Sequence, residues 1–210
     1  MFEYEKKKRQ EGYSYVIGCD EVGRGALAGP IVAASALFKI EDLLSIEEDW
    51  VSEVKDSKKL SQSKRVDLDK KIRNTVLSFA IGKVSNKEID KNNIHQANLS
   101  SIHQAVKEIL KNLSRNSKIF LAIDGRFIVP ELHIKQEAVI NGDDSVFAIS
   151  SASIIAKVYR DNLMMKLDSK FPKYGFSEHK GYGTAKHIDA MKKYGITDIH
   201  RKSFCRNYIS

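Results

Sequence analysis

Residues 15–34 read YVIGCDEVGRGALAGPIVAA, and this stretch decides the fold of the chain. An apolar run from Tyr15 leads into two adjacent acids, Asp20 and Glu21, and after a glycine-rich turn a second apolar run begins at Ile31. Successive strand residues point to opposite faces, so one of the two acids must face the packed side of a sheet. An unpaired carboxylate is costly in such a place. The stretch therefore predicts two strands and, where the first one ends, a site for a cation.

The rest of the chain continues the pattern of strands and helices. Apolar runs bounded by turn residues predict strands over residues 15–20, 31–38, 77–84, 118–124 and 134–140. Helical spacing of apolar residues predicts helices over 61–75, 86–93, 97–113 and 147–167, with short helical pieces beyond Phe171. Strands that come early and then alternate with helices are typical of a mixed α/β sheet covered by helices. The sequence has no dinucleotide-binding fingerprint and no Walker loop.

Length and cysteine content limit the class of protein. The 210 residues fit one full-sized domain. We divide it into a catalytic part, residues 1–170, and a basic C-terminal helical extension, residues 171–210, within the same structural unit. Cys19 and Cys205 are too few for a disulfide framework and predict free thiols in a reducing compartment. The sequence shows no signal-peptide core and no apolar run long enough to span a membrane, so we expect a cytoplasmic protein.

The positive charge of the chain is concentrated near its end. The formal net charge is +8, and residues 157–206 hold twelve Lys and Arg against five Asp and Glu, an excess of +7. A solvated basic face is the simplest explanation. A footprint for a polyanion, in which Lys and Arg neutralise phosphates, is the alternative that the charge favours.

Two more acids stand where an apolar residue would be expected. Asp124 ends the apolar run 118–124. Asp161 interrupts a helical stripe that Ile154, Val158 and Met165 would otherwise complete. Taken alone, Asp124 could be a turn or capping residue, and Asp161 could pair with a neighbouring Lys or Arg. Their occurrence together with the acids at the end of the first strand favours a common site.

The four acids indicate a metal-dependent reaction on phosphate esters. Close carboxylates repel unless cations neutralise them. Clustered oxygen ligands suit Mg²⁺ or Mn²⁺, and two such ions about 4 Å apart fit phosphodiester hydrolysis. No His or Cys cluster has zinc spacing, and no Gly-x-Ser-x-Gly elbow is present. These patterns alone indicate a metal-dependent nuclease or a phosphotransferase.

Six motifs sharpen this interpretation: GCDEVGRGALAGPIVAA, DSKKLS, AIDGR, SSASIIAKVYRD, HKGYGT and GITDIHRKSF. In this order and spacing, from residue 18 to residue 204, the chain resembles ribonuclease HII, the type 2 ribonuclease H family. The resemblance implies a ribonuclease H-like mixed five-stranded sheet flanked by helices, with a C-terminal helical extension. It also implies an endonuclease that cuts RNA paired with DNA and nicks DNA duplexes at embedded ribonucleotides, leaving 3′-hydroxyl and 5′-phosphate ends.

The resemblance assigns roles to individual residues. The family's catalytic, metal-binding acids match Asp20, Glu21, Asp124 and Asp161. The turn that reads the 2′-hydroxyl, the group that distinguishes RNA from DNA, matches Gly23, Arg24 and Gly25. The tyrosine that stacks on the sugar beside the ribonucleotide matches Tyr182. As phosphate contacts we predict Lys58, Lys59, Lys180 and Arg201; for each of them, a solvated surface charge is the alternative. The implied cofactors are two divalent ions, Mg²⁺ or Mn²⁺, and the implied partner is an RNA/DNA hybrid or a ribonucleotide-containing DNA duplex, bound by a monomer.

The chain departs from the family pattern at Val22, Ala26 and Ser145, where Ala, Pro and a nearby Lys are usual; none is a proposed metal ligand. The aspartate at position 161, in place of a glutamate, favours ribonuclease HII over ribonuclease HIII. Two other interpretations stay open. One is a nucleic-acid-binding protein whose acids are structural, and the other is a different metal-dependent nuclease, such as a resolvase-like enzyme on the same fold.

Overall fold

The computed structural model describes residues 2–54, 60–114 and 116–208 and contains a five-stranded sheet. Its strands are β1 (Tyr15–Val22), β2 (Ile31–Lys39), β3 (Ser78–Val84), β4 (Ile119–Asp124) and β5 (Lys135–Val139). Their order across the sheet is β3-β2-β1-β4-β5. The pairs β1–β2 and β2–β3 are antiparallel, whereas β1–β4 and β4–β5 are parallel. The predicted mixed sheet is confirmed, and the ends of its strands differ from prediction by at most two residues.

Helices cover both faces and the C-terminal side of the sheet. They are α1 (Glu3–Gln10), α2 (Ile40–Leu44), α3 (Trp50–Glu53), α4 (Gln62–Thr75), α5 (Asn86–Asn92), α6 (Ile94–Leu110), α7 (Gly142–Ser145), α8 (Phe147–Lys170), α9 (Phe176–His179), α10 (Ala185–Tyr194) and α11 (Lys202–Cys205). The predicted helices are confirmed. Helix α6 begins three residues before its predicted start because the Asn93 side chain caps its first turn by accepting from the Gln96 N–H. It also ends three residues before its predicted end. The sequence patterns did not reveal α1, α2, α3 and α7.

The two faces of the sheet carry separate apolar cores. On one face, Val16 and Ala122 pack with Phe147 and Ile154 of α8. On the other face, Ile17 and its neighbours pack against α6. Because strand side chains alternate between these faces, Asp20 lies on the α8 side and Glu21 on the α6 side.

Helix α8 lies unusually close to β1 because the strand has a glycine at the crossing. A Cβ on Gly18 would lie 2.0 Å from the carbonyl carbon of Ala148 and 2.4 Å from the Ile149 nitrogen. Any larger residue would separate strand and helix. The glycine therefore sets the distance between Asp20, two residues further along β1, and the side chains of α8.

The parallel pairing of β1 and β4 brings two acids to the same edge of the sheet. Cys19 pairs with Ile123, so the next residue of each strand, Asp20 and Asp124, lie side by side where the strands end. The same register places Gly18 opposite Ala122, so both acids point to the α8 face.

The C-terminal segment builds a third apolar cluster against the end of α8. Met164 is fully buried there with Leu27, Tyr174 and Phe176. The predicted apolar stripe of α8 is therefore wrong at its last position, since Met165 is 43% exposed. The helix has passed the edge of the sheet at this point, and the surface it buries has rotated towards the C-terminal segment. The division at residue 170 remains a prediction.

Both cysteines are buried and unpaired, as predicted. Within the described residues, no helix has both the length and the apolar character that crossing a membrane requires.

Candidate active site

Asp20 and Asp124 form the centre of an acidic site at the C-terminal edge of the sheet. Asp20 is 7% exposed, and one of its oxygens, Oδ1, accepts from the Glu21 N–H at 2.7 Å. The Ser153 hydroxyl also bonds the Asp20 side chain. Asp124 Oδ1 accepts from the Gly142 N–H at 2.8 Å and from the next N–H along the chain at 3.3 Å. Backbone donors therefore hold both carboxylates at the ends of their strands.

Burial and neighbouring charges act together on Asp20. Desolvation is the largest effect, followed by the charge of Glu21, and the Asp124 charge adds to both; the pKa of Asp20 is therefore well above its usual value. The Ser153 hydroxyl and the Glu21 N–H lower this pKa without reversing the shift. A cation at this edge of the sheet would relieve the repulsion among the three carboxylates.

Glu21 presents an unsatisfied oxygen to the site. Burial raises its pKa and the Asp124 charge adds to the rise, whereas the Asn98 amide and the Arg24 guanidinium lower it. Arg24 Nη1 lies 3.4 Å from Glu21 Oε1. The other oxygen, Oε2, is buried and has no hydrogen-bond partner in the described structure. A buried carboxylate oxygen without a donor is costly, and a bound cation would satisfy it.

Asp161 lies on helix α8, and its carboxylate forms an ion pair with Lys157. It is 6% exposed, and Lys157 Nζ donates to its Oδ1 at 2.8 Å. This is the pairing that the sequence left open as an alternative for Asp161. Ser153, Lys157 and Asp161 follow one another at spacings of four, so they lie along one stripe of α8. The stripe begins at Ser153, which bonds Asp20, and Asp161 lies about two turns further along α8.

The four acids are thus only partly assembled. Within residues 2–54, 60–114 and 116–208, no three Asp, Glu, His or Cys side chains are arranged so that they could hold a metal ion together as they stand. Asp20, Glu21 and Asp124 interact electrostatically, whereas Asp161 is held by Lys157. The donor set nevertheless fits a divalent ion, because it consists of carboxylate oxygens and includes the unsatisfied Glu21 Oε2.

A cleft of about 350 Å³ opens over Asp20 and Glu21, whereas Asp124 and Asp161 are not among the residues that line it. Its walls contain acids, bases and the glycine-rich turn, and the residues that line it are Asp20, Glu21, Val22, Gly23, Arg24, Gly25, Arg65, Ser153, Lys157 and Tyr182. The cleft therefore combines the acidic edge with the turn and the tyrosine that the sequence singled out. The sequence analysis did not identify Arg65, Ser153 and Lys157 as residues of the site. Ser153 and Lys157 could have been found from their positions eight and four residues before Asp161, which place them on the same face of α8.

The Gly23–Gly25 turn lies on a buried arginine. Gly23 has φ +89°, and a Cβ there would lie 2.2 Å from Arg160 Nε. Glycine is thus required at position 23 both for the backbone conformation and for the close approach of the guanidinium. A Cβ added at Gly25 would have no atom within 4 Å, so this residue borders open space.

Tyr182 also lines the cleft, in a loop that is bonded to the segment after the turn. The Arg160 guanidinium carbon is 5.4 Å from the centre of the Tyr182 ring. The Gly181 carbonyl accepts from the Leu27 N–H at 2.8 Å, so this loop is bonded to the segment that follows the turn. The turn and the tyrosine are therefore parts of one connected surface.

A buried pair of histidines supports the Tyr182 loop. His200 Nδ1 accepts from the Thr197 N–H at 2.9 Å, so its Nε2 carries the proton and donates to His187 Nε2 at 3.1 Å. His187 Nδ1 then donates to the Tyr182 carbonyl at 3.0 Å. Both rings must be neutral for this chain of hydrogen bonds. Burial lowers the pKa of each histidine to about 4.

The predicted phosphate contacts have different environments. Lys58 and Lys59 lie outside the described residues. Lys180 is 8% exposed and its ammonium donates to the Ser177 carbonyl, so a phosphate contact would require this bond to break. The prediction for Arg201 is wrong: its side chain is fully buried and donates to backbone carbonyls, so it does not face a substrate.

Comparison with known proteins gives a consistent result. The family model described as Ribonuclease HII matches residues 17–207. A curated Ribonuclease HII from Clostridioides difficile is 42% identical over 206 residues, which cover 98% of this chain and 76% of the relative.

Solved structures are similar over most of the chain. The ribonuclease H2 from Pyrococcus horikoshii has a TM-score of 0.72 and 25% identity, covering 92% of this chain and 96% of that one. Bst-RNase HIII in complex with Mn²⁺ has a TM-score of 0.65 and covers 87% of this chain and 64% of that one. At 18% identity, the second similarity concerns the fold alone.

Proposed function

Since the chain belongs to the ribonuclease HII family and is a ribonuclease that acts on RNA/DNA hybrids, we propose that it hydrolyses the RNA strand of hybrids and nicks DNA duplexes at embedded ribonucleotides. The products would carry 3′-hydroxyl and 5′-phosphate ends. The observation that carries this proposal is the cleft in which Asp20 and Glu21 of β1 meet the Gly23–Gly25 turn and Tyr182, with Asp124 beside Asp20 at the end of β4. The acids can hold a phosphate while the turn and Tyr182 read the sugar.

The proposal includes two divalent ions, Mg²⁺ or Mn²⁺, held by Asp20, Glu21, Asp124 and Asp161. Such ions supply a water of lowered pKa and stabilise the leaving oxygen. Asp20 and Asp124 would be the central ligands because backbone and hydroxyl donors fix them at adjacent strand ends. Lys157 holds one oxygen of Asp161, Oδ1, so that oxygen would become a metal ligand only if the ammonium moved away. Lys157 lines the cleft, where its ammonium can bind a phosphate.

Recognition of the ribonucleotide would fall to the backbone of the turn and to Tyr182. Gly23, Arg24 and Gly25 line the cleft, and glycine permits a nucleic-acid backbone to approach closely. The 2′-hydroxyl is the group that such a contact must read. Tyr182 would stack on the adjacent sugar. Lys157 and Arg65, which also line the cleft, take the phosphate-binding role that Arg201 cannot fill.

The protein would act as a monomer on these duplexes. We place it in the cytoplasm, because its two unpaired thiols suit a reducing compartment.

A cleavage assay tests the function directly. A DNA duplex with one ribonucleotide is incubated with the protein and Mg²⁺ or Mn²⁺, with and without EDTA. We expect a single nick beside the ribonucleotide that EDTA abolishes. An all-DNA branched junction serves as the competing substrate. Cleavage of the junction with no nick in the ribonucleotide duplex would identify a different nuclease, and binding without any cleavage would identify a binding protein.

The site assignment is tested by Asp124→Asn. This change keeps the shape of the side chain and removes its charge, so turnover should fall by more than 100-fold, about 3 kcal/mol of barrier, while duplex binding is largely kept. Asp67→Asn is the matched control, since Asp67 is an exposed acid paired with Lys71 at 3.3 Å. An Asp124→Asn protein that cleaves at the wild-type rate would show that the site is wrongly assigned.

A further inference from the structure

Two arginines are fully buried between the turn and the C-terminal segment, and neither forms a salt bridge with a carboxylate among the described residues. Arg160 belongs to α8, next to Asp161, and Arg201 immediately precedes α11. Burial lowers the pKa of both guanidinium groups, and for Arg201 the charge of Arg160 contributes. Burying two like charges so close together is costly, which calls for a structural or functional reason.

The guanidinium groups are satisfied by backbone carbonyls. Each contributes three bonds of 2.7–3.2 Å, and the six accepting residues are Pro30, Lys180 and Ala28 for Arg160, and Gly29, Arg24 and Gly23 for Arg201. These carbonyls come from the turn, from the segment that follows it and from the loop that carries Tyr182. The pair therefore joins the two recognition elements of the cleft from beneath.

We propose that Arg160 and Arg201 are positioning residues for ribonucleotide selection, which orient the Gly23–Gly25 turn and the Tyr182 loop towards the substrate. This inference rests on the proposed function and adds to it the residues that set its selectivity. Neither arginine touches the substrate in this scheme.

The argument for the turn follows from peptide geometry. In a planar trans peptide the C=O and the N–H point in opposite directions. Arg201 draws the carbonyls of Gly23 and Arg24 inwards, at 2.7 and 2.8 Å. The N–H groups of the same two peptides, which belong to Arg24 and Gly25, must then point away from Arg201. Both residues line the cleft, and no hydrogen bond in the described structure uses these two N–H groups. Adjacent outward N–H groups form a site for an oxygen or an anion.

The argument for the tyrosine concerns Arg160. Its guanidinium lies under the Tyr182 ring and holds the carbonyl of Lys180, two residues before the tyrosine, at 2.9 Å. The same group also fills the space that a side chain at Gly23 would need. One side chain thus sets the separation between the turn and Tyr182, which is the width available to a sugar.

The test is substitution by lysine, which keeps the charge but cannot span three carbonyls with a planar fork. The variants are Arg201→Lys and Arg160→Lys, each made in the Asp124→Asn background so that bound duplex is not cut. Arg73→Lys is the matched control, because Arg73 pairs with Asp69 on α4 and does not contact the turn or the Tyr182 loop. Affinity is measured for a duplex with one ribonucleotide and for the same duplex made of DNA alone.

We expect the preference for the ribonucleotide to fall by about 10- to 100-fold in both variants, because each hydrogen bond lost to the ribonucleotide reduces affinity by up to about tenfold. Affinity for the all-DNA duplex should change less than about twofold, since the charge is kept. The control should match the parent protein on both duplexes. An equal loss on both duplexes, or an unchanged preference, would overturn the inference.

Hydrogen exchange gives a second measurement that does not depend on substrate. The N–H groups of residues 26–29 donate to the carbonyls of Gly23, Gly181 and Ile199. If the arginines hold this segment, these N–H groups should exchange about tenfold faster in a lysine variant than in the parent protein. The comparison uses a variant that shows a cooperative thermal unfolding transition and is therefore folded. Unchanged exchange would overturn the inference even if the wild-type protein nicks its substrate. If the wild-type protein fails to nick while the variants show faster exchange, the proposed function is wrong and the structural role of the pair remains.

Discussion

Replacing Gly18 by alanine should disrupt the active site without altering any residue in it. The added Cβ would lie 2.0 Å from Ala148 C and 2.2 Å from Ala148 O, both backbone atoms. Ordinary contact begins at 3.4 Å, so α8 must move away from β1 by about 1.4 Å, the difference between the two distances. Overpacking of this kind costs about 1–3 kcal/mol, and more when backbone must move.

The activity should fall further than the stability loss alone explains. Ser153 and Lys157 move with α8, whereas Asp20 stays with β1, so the contacts across the cleft lengthen. A displacement of about 1 Å at reacting groups can cost about 100-fold in rate. We therefore expect single-turnover cleavage of the ribonucleotide duplex to slow by about two orders of magnitude in protein that is still folded.

The measurements are urea unfolding and single-turnover cleavage under conditions where the variant is folded. Gly25→Ala is the matched control for stability, because no atom lies within 4 Å of its added Cβ. We expect its free energy of unfolding to change by less than about 0.5 kcal/mol. A Gly18→Ala protein with wild-type stability and rate would refute the reasoning, since it would show that α8 does not need its present distance from the strand.

Three further outcomes are expected. Tyr182→Ala should lose preference for the RNA–DNA junction more than general duplex affinity; equal losses on all duplexes would make the tyrosine merely structural. Because the pKa of Asp20 and that of Glu21 are raised, the cleavage rate should fall as pH is lowered. A higher concentration of divalent ion should shift the apparent pKa of the rate profile downwards, since the ion competes with protons for the carboxylates. A pH–rate profile that does not change with ion concentration would contradict the metal assignment. The folded-state pKa of His187 and of His200, about 4, lies below the ordinary 6.5, so the unfolded chain binds more protons between these values and stability falls as pH drops through that window. The loss should be on the order of 1–3 kcal/mol for each histidine, so it should be smaller in His200→Asn than in the wild-type protein. Urea unfolding at pH 7 and pH 4.5 measures it, and equal losses in the two proteins would exclude the histidines as its source.

The strands and three of the acids were predictable because their signals are local. An apolar run that ends in an acid is visible in the sequence at Asp20 and again at Asp124, and parallel pairing of such strands brings their ends together. The spacing along α8 likewise placed Asp161 on a buried face. The sequence does not show which group pairs with each charge. For Asp161 it therefore left two alternatives, a place in the common acidic site or an ion pair with a neighbouring base such as Lys157.

Buried charges are the features that the sequence did not reveal, because their partners are distant in sequence. In helix α1, which the sequence patterns did not show, Glu5 is fully buried and accepts from the Ala148 N–H at 3.1 Å. Lys8 is also buried, with its ammonium 3.1 Å from Glu137 and 3.8 Å from the centre of the Phe120 ring. Arg201 was taken for a phosphate contact for the same reason. A charge count assigns such side chains to the surface, and only the fold shows the groups that satisfy them.

The bond from Arg201 to the Gly23 carbonyl joins residues 178 positions apart. A chain growing from its N-terminus would therefore place all four acids before it could arrange the turn that chooses what they cut. We expect a C-terminally shortened protein that still folds to keep the acids but to lose the preference for ribonucleotides, because nothing then holds the Gly23 carbonyl.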